Sequence, residues 1–185
     1  MPGRSPAEAF NAFIDPLAEA VSCLGAAKIV PSPGGRAVPN VVHAWALNGE
    51  TGMAFPGGWH FEAQMHYEIV QRPVSREWRV KTHGYRYRLA LRGTHLWRLH
   101  WHPTVTSGYH LPHLHMNLGR PGEVPLETMS QHHPTGRMTF EDAVEWIFRV
   151  GIEPARENWN EIISASRERH LEHRSWDRYP PGSPG

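Results

Sequence analysis

Several features that commonly assign a protein to a class are scarce in this sequence. Cys23 is the one cysteine among 185 residues, which excludes an intramolecular disulfide and a zinc site built on cysteines. No apolar run approaches the roughly 18 residues that span a membrane, and the N-terminal segment lacks the basic start and apolar core of a signal peptide. The net charge is only +1, which argues against a uniformly basic nucleic-acid-binding chain. We therefore expect a cytoplasmic globular protein.

The spacing of apolar residues predicts a single α+β domain over residues 1–178 and a disordered tail over 179–185. Apolar residues recur at helical spacing over 6–24 and again in helices over 139–170. Over about 40–102 they alternate with polar residues, which predicts an antiparallel β-meander of about four to five strands. Residues 103–138 show no clear period and are expected to form a histidine-rich loop. We expect the helices to pack on one face of the sheet.

The near-zero net charge conceals a basic segment. Residues 72–102 carry eight basic side chains and one acidic side chain, a net of +7, whereas the segments before and after each have a net of −3. Arg86, Arg88 and Arg98 are expected on the sheet face that points away from the core. Their planar guanidinium groups suit phosphate, so we interpret them as candidate substrate-binding residues.

Histidine is abundant next to this basic segment. Seven of the 14 histidines lie between His100 and His133. An H-x-H spacing in a strand places two imidazoles on one face about 7 Å apart, and His100 with His102 and His113 with His115 both have that spacing. Such pairs are suited to acid–base catalysis or to metal binding.

One interpretation is a metal-independent ribonuclease with no cofactor. In it, one imidazole takes the proton of the RNA 2′-hydroxyl, another protonates the leaving oxygen, and the arginines stabilise charge on the phosphate. The candidate catalytic residues are His100, His102, His113 and His115.

The alternative is a metal-binding protein or metalloenzyme that holds Zn, Ni or Fe. No acidic residue lies between Trp101 and Arg120, so any carboxylate ligand would have to come from Glu62 or Glu68 across the sheet. The candidate ligands are His100, His102, His110, His113 and His115. A third interpretation is a module without enzymatic activity, whose basic face binds an acidic partner protein.

Several short motifs resemble the TumE-type toxins of bacterial type II toxin–antitoxin systems. They are Gly84–Leu89 (GYRYRL), Leu96–Arg98 (LWR), His110–His115 (HLPHLH) and the helix start at Arg137–Phe140 (RMTF), and the resemblance covers roughly residues 59–150. It implies a growth-inhibiting toxin encoded beside a cognate antitoxin, with Arg86, Arg88, His113 and His115 at the matching positions. The N-terminal and C-terminal helices lie outside that pattern.

A second resemblance concerns the same histidines. The spacing from Gly108 to His113 and His115 is similar to the first cupin motif, which binds a metal inside a small β-barrel. The sequence has one residue too few before His113, and the glutamate that the motif places shortly after the histidines is absent, since Glu123 comes too late.

Overall fold

The computed structural model describes residues 2–102, 110–117 and 132–172. In these residues, helices pack against one face of an antiparallel sheet, which confirms the predicted α+β class. The helices are α1 (Pro6–Ser22), α2 (Phe140–Arg149) and α3 (Trp159–Glu172). The strands are β1 (Ile29–Pro31), β2 (Val42–Leu47), β3 (Met53–Phe55), β4 (Trp59–Gln71), β5 (Trp78–Leu91), β6 (Thr94–Trp101), β7 (His113–Met116) and β8 (His133–Pro134).

The sheet has more strands than the sequence predicts. The expected four to five strands become eight, the sheet begins at Ile29 instead of about residue 40, and β7 and β8 lie within the segment 103–138 that was expected to be a loop. The strands that the prediction misses are two to four residues long, which is too short for an alternating pattern to be recognised.

The helix boundaries also differ from the predicted ones. The first helix ends at Ser22 instead of residue 24, and the C-terminal helices predicted over 139–170 span Phe140–Arg149 and Trp159–Glu172. The predicted tail, 179–185, lies outside the described residues. None of the helices in the described part of the chain combines the length and the apolar composition needed to cross a bilayer.

The strand order is β1-β2-β4-β5-β6-β7-β8, with β3 also paired to β4, and every pairing is antiparallel. From β4 to β8 the strands follow one another in chain order, which confirms the predicted meander. Arg92 and Gly93 connect β5 to β6 with φ angles of 50° and 79°. Two successive positive φ angles form the tight turn whose twist matches that of the flanking strands.

The core lies between the helices and one face of the sheet. Phe140, at the start of α2, is fully buried and packs against Trp45, Phe61 and Tyr87, with ring centroids 5.6, 6.3 and 6.0 Å away. Thr139 fixes the start of this helix, because its Oγ1 accepts a hydrogen bond from the Asp142 N–H while the Asp142 carboxylate accepts one from the Thr139 N–H. The opposite sheet face carries the arginines and histidines that the sequence places there.

A buried ion pair joins the three helices. His170 Nδ1 lies 2.5 Å from Glu141 Oε1, and Ser166 Oγ donates to the same oxygen and lies 2.7 Å from the carbonyl oxygen of Pro16. Burial alone would raise the pKa of Glu141 and lower that of His170. Their mutual attraction and hydrogen bond outweigh burial, so the pKa of Glu141 is lowered and that of His170 is raised. We infer that both residues are charged over part of the acidic pH range.

Candidate metal centre

The register of the sheet aligns polar side chains across its open face. Arg86 on β5 lies opposite His100 on β6, and His100 lies opposite His113 on β7. Two residues further along each strand, Arg88 lies opposite Arg98, and Arg98 lies opposite His115. Directly opposed residues share a face of a sheet, so the basic segment and the densest histidines form one continuous surface.

Three histidines of this surface converge. The nearest ring nitrogens of His100, His113 and His115 all lie within 4.8 Å of one another. His115 Nε2 lies 2.7 Å from His100 Nε2, and the ring centroids of His100 and His113 are 3.9 Å apart. His113 is 3% exposed and the other two are half-buried. We call these three residues the histidine trio.

The dimensions of the trio suit a tetrahedral metal ion. Imidazole nitrogens bind Zn²⁺ at about 2.0–2.1 Å, which in a tetrahedron places them about 3.4 Å apart. The distance from His100 Nε2 to His115 Nε2 is 2.7 Å, and one ring nitrogen of each of the three residues lies within 4.8 Å of the others. The required spacing falls between these two distances.

A hydrogen bond to the backbone orients one member of the trio. His113 Nδ1 lies 2.7 Å from the carbonyl oxygen of Leu111. Because a carbonyl only accepts, Nδ1 carries the proton, and in the neutral ring the lone pair is on Nε2. Histidines that bind metals commonly make such a bond with their other nitrogen, since it fixes the tautomer and the ring orientation.

The imidazoles of the trio are neutral at neutral pH. Burial, followed by the positive charge that His113 and Arg98 would place nearby, lowers the pKa of His100 to about 2. Burial and then Arg98 lower the pKa of His115 to about 4, and burial lowers the pKa of His113. Neutral imidazole is the form that binds a metal. Neutral imidazole is also a poor general acid, because its one remaining N–H proton is very weakly acidic.

The other predicted histidine ligands lie outside the trio. His102 is next to it, with its ring centroid 5.0 Å from that of His100, whereas His110 is exposed and has no hydrogen bond in the described residues. His132 was not predicted as a site residue, yet its ring packs 4.6 Å from both His113 and His115. The adjacent pair His132-His133 was the only signal in the sequence, and it did not indicate which ring faces the cluster.

Of the three predicted phosphate-binding arginines, Arg88 is engaged in an ion pair. It binds the carboxylate of Glu62 across β4 and β5, and its Nη1 lies 3.3 Å from His95 Nε2. Within the described residues, no carboxylate lies within ion-pair distance of Arg86 or Arg98. Burial, followed by the charges of Arg86 and Arg88, lowers the pKa of Arg98. Positive charge therefore accumulates beside the trio.

A cleft of about 400 Å³ opens beside His115. Arg88 and Arg98 line it, together with Trp97, Met116 and Asn117. Asn117 Oδ1 is buried and has no hydrogen-bond partner in the described residues. Nothing in the sequence indicated Asn117, because it follows β7 directly and its position in the cleft depends on the pairing of β6 with β7.

Most of the remaining histidines have structural contacts. His43 Nε2 and His60 Nε2 each lie 2.9 Å from a backbone carbonyl oxygen, of Val38 and Thr51 respectively, and His83 Nε2 lies 2.9 Å from the Glu68 carboxylate. These contacts explain their presence without a role in the site.

The strand order also bears on the cupin resemblance. β1 and β8 are the two ends of the order, and no pairing within residues 2–102, 110–117 and 132–172 joins them. The described strands therefore form an open sheet, in contrast to the barrel that this resemblance implies.

No protein family, curated protein or solved structure matches the chain.

Proposed function

We propose that this protein binds a divalent transition metal through His100, His113 and His115. One observation carries the proposal: three imidazole nitrogens, contributed by two adjacent strands, lie within 4.8 Å of one another. Imidazole is a preferred ligand of zinc, nickel, copper and iron, and histidine clusters without carboxylates are typical of the softer members of this group. Zn²⁺ fits the spacing and is the metal we would test first.

The protonation state of the trio supports the same conclusion. Metal ions compete with protons for imidazole, and the lowered pKa values of His100 and His115 remove that competition at neutral pH. The hydrogen bond to the Leu111 carbonyl places the proton of His113 on Nδ1, so the lone pair of the neutral ring is on Nε2. No large rearrangement of the backbone is required, since the three residues are already adjacent in the β6–β7 ladder.

The arrangement is typical of catalytic and not of structural metal sites. Structural zinc sites are closed by four protein ligands, whereas catalytic sites have three and keep a position for water or substrate. A metal bound in this way would supply Lewis-acid activation of water. The residues of the cleft beside His115 would position the substrate. We therefore infer a metal-dependent hydrolase.

The test is a metal titration of the purified, untagged full chain. We expect calorimetry to show one Zn²⁺ per chain, and His115→Ala to weaken binding at least about tenfold, the lower end of what a lost ligand contact costs. His60→Ala is the matched control, because His60 lies on the same sheet but bonds to the Thr51 carbonyl. The proposal fails if the wild type binds no metal, or if His115→Ala and His60→Ala bind it equally.

A second candidate is the metal-independent ribonuclease with His100, His102, His113 and His115 as acid–base residues. The lack of a carboxylate partner for Arg86 and Arg98 favours it, because these guanidinium groups are available for RNA phosphate in the described structure. Against it, the 2.7 Å contact between His100 and His115 leaves no space for a phosphate between these two rings. The toxin resemblance and a cognate antitoxin would belong to this candidate.

RNA cleavage in EDTA separates the two candidates. The ribonuclease candidate predicts that cleavage persists in EDTA and is lost in His115→Ala. The metal-dependent candidate predicts that EDTA abolishes hydrolysis of any substrate and that added Zn²⁺ restores it. Binding of an acidic partner that depends on Arg86 and Arg88 but not on His115 would favour a module without enzymatic activity.

A further inference from the structure

The surroundings of the histidine trio have an excess of positive charge. None of the three proposed ligands is a carboxylate or a thiolate, so none offsets the charge of a metal, and the strand positions next to them carry Arg86, Arg88 and Arg98. Glu62 is the one carboxylate in the described residues that pairs with any of these arginines. A divalent ion at the trio would raise this charge further. An anionic group bound beside the metal would offset it.

The two arginines without ion pairs stand where such an anion would contact the metal. Arg86 lies directly opposite His100, and Arg98 lies directly opposite His115. Arg86 and Arg98 are diagonal neighbours across β5 and β6, because Arg86 lies opposite His100 and Arg98 lies opposite Arg88. Diagonal neighbours are within reach of one another's long side chains, so one small anion can bridge both guanidinium groups.

The cleft beside His115 provides room for the rest of such a ligand. Arg98 lines it, and Asn117 Oδ1 is buried there without a hydrogen-bond partner in the described residues. The N–H₂ group at the other end of this amide is a donor that suits an oxyanion. Met116 is 38% exposed and adds an apolar group to the lining.

We propose that the site binds the phosphoryl group of a phosphate ester, with Arg86 and Arg98 holding its oxygens next to the metal. This inference rests on the proposed metal-dependent function. A phosphoryl group is favoured over a carboxylate because it offers a third oxygen. Two guanidinium groups and a metal can therefore each bind a separate oxygen, and a carboxylate has only two. The cleft accommodates the organic part of the ester.

The experiment uses the full chain loaded with Co²⁺, whose visible absorption reports its ligands. Inorganic phosphate is titrated in at constant ionic strength. We expect a saturable spectral change, and Arg98→Gln and Arg86→Gln each to raise the phosphate Kd at least about tenfold. Lys81→Gln is the control for loss of one positive charge. Lys81 is exposed on β5, and it lies opposite Glu68 of β4 in the strand register, away from the trio. It is expected to leave the Kd unchanged.

Further titrations identify the ligand class. Acetate is expected to bind more weakly than phosphate, and acetate binding of equal strength would overturn the phosphoryl assignment. Phenyl phosphate has three non-bridging oxygens and diphenyl phosphate has two, so phenyl phosphate is expected to bind more tightly than both diphenyl phosphate and acetate. Binding of diphenyl phosphate as tight as that of phenyl phosphate would overturn the arrangement in which three oxygens are bound separately. A spectrum that phosphate leaves unchanged, or a Kd that Arg98→Gln does not alter, would overturn it.

Failure of the metal site and failure of the anion site are separable. If Co²⁺ does not bind, the proposed function is wrong, and calorimetry of phosphate in EDTA then decides the anion site. Phosphate binding that depends on Arg98 would support the arginine site, and no binding would overturn it. If Co²⁺ binds and phosphate does not, only the further inference is wrong.

Discussion

Replacing Arg98 with glutamine is expected to tighten Zn²⁺ binding to the histidine trio in buffer that contains no phosphate. Arg98 lies opposite His115 in the β6–β7 ladder. Its positive charge contributes to lowering the pKa of all three histidines of the trio, so its field reaches each of them. The charge that disfavours a proton on these rings also disfavours a metal cation. Removal of that charge should therefore favour the bound metal.

The size of the effect follows from the distance and the exposure of Arg98. A guanidinium group about 8 Å from a divalent cation repels it by about 4 kcal/mol at an effective dielectric constant of about 20, and by about 1 kcal/mol in bulk water. Arg98 is exposed to solvent, so screening brings the repulsion close to the bulk-water value of about 1 kcal/mol. That corresponds to a Zn²⁺ Kd lower by about fivefold.

The assay is competition for Zn²⁺ between the protein and a chelator, at low ionic strength and again in about 1 M of a non-coordinating salt, where the Debye length is about 3 Å. We expect the fivefold difference at low salt to diminish at high salt. Lys81→Gln should leave the Kd unchanged at both. Unchanged or weaker Zn²⁺ binding by Arg98→Gln at low salt would refute the reasoning, and tighter binding by Lys81→Gln would show that net charge alone is responsible.

Three further predictions concern the fold. Glu141→Gln should lower the free energy of unfolding by about 3 kcal/mol. The loss should be largest between pH 4.5 and 6.5, the ordinary pKa values of the two groups, and should diminish as pH rises through the raised pKa of His170 or falls through the lowered pKa of Glu141. A loss in urea denaturation that is independent of pH would contradict the ion pair. Phe140→Ala should cost about 3–5 kcal/mol in the same assay, because the ring is fully buried, and a cost below about 1 kcal/mol would contradict its place in the core. Gly84→Ala should cost about 1–3 kcal/mol, since its Cβ would lie 2.7 Å from the Trp101 carbonyl oxygen, and thermal stability equal to the wild type would contradict that contact.

The predictions from sequence succeeded where a pattern is long or chemically specific. The alternation from Trp59 to Ile69 extends over β4, and the burial of these residues follows the same alternation. The C-terminal helices were expected to begin at residue 139 and begin at Phe140, with Thr139 as the N-cap, because a hydroxyl followed by a helical apolar stripe is a local signal. Short strands such as β7 were missed, because four residues hold too little periodicity.

The sequence predicted which kinds of residue form the site, but not which histidines converge in it. The sequence indicated which residues belong to the basic, histidine-rich face, since alternation decides the face of each strand residue. It did not distinguish His100, which is in the trio, from His102, which has the same spacing and the same face. The pairing of His100 with His113 across β6 and β7 makes that distinction, and an inter-strand register is not written in either strand alone.

The sequence by itself determined the class of the fold, the concentration of basic residues in one segment and the many histidines next to it. All of these depend on the order and type of residues along the chain. The tertiary structure decided which nitrogens meet, which arginine is neutralised by Glu62 and which histidines are neutral. These properties depend on distances and on burial between residues far apart in the chain. Folding alone establishes those distances, and they turn a stretch rich in histidine into a candidate metal centre.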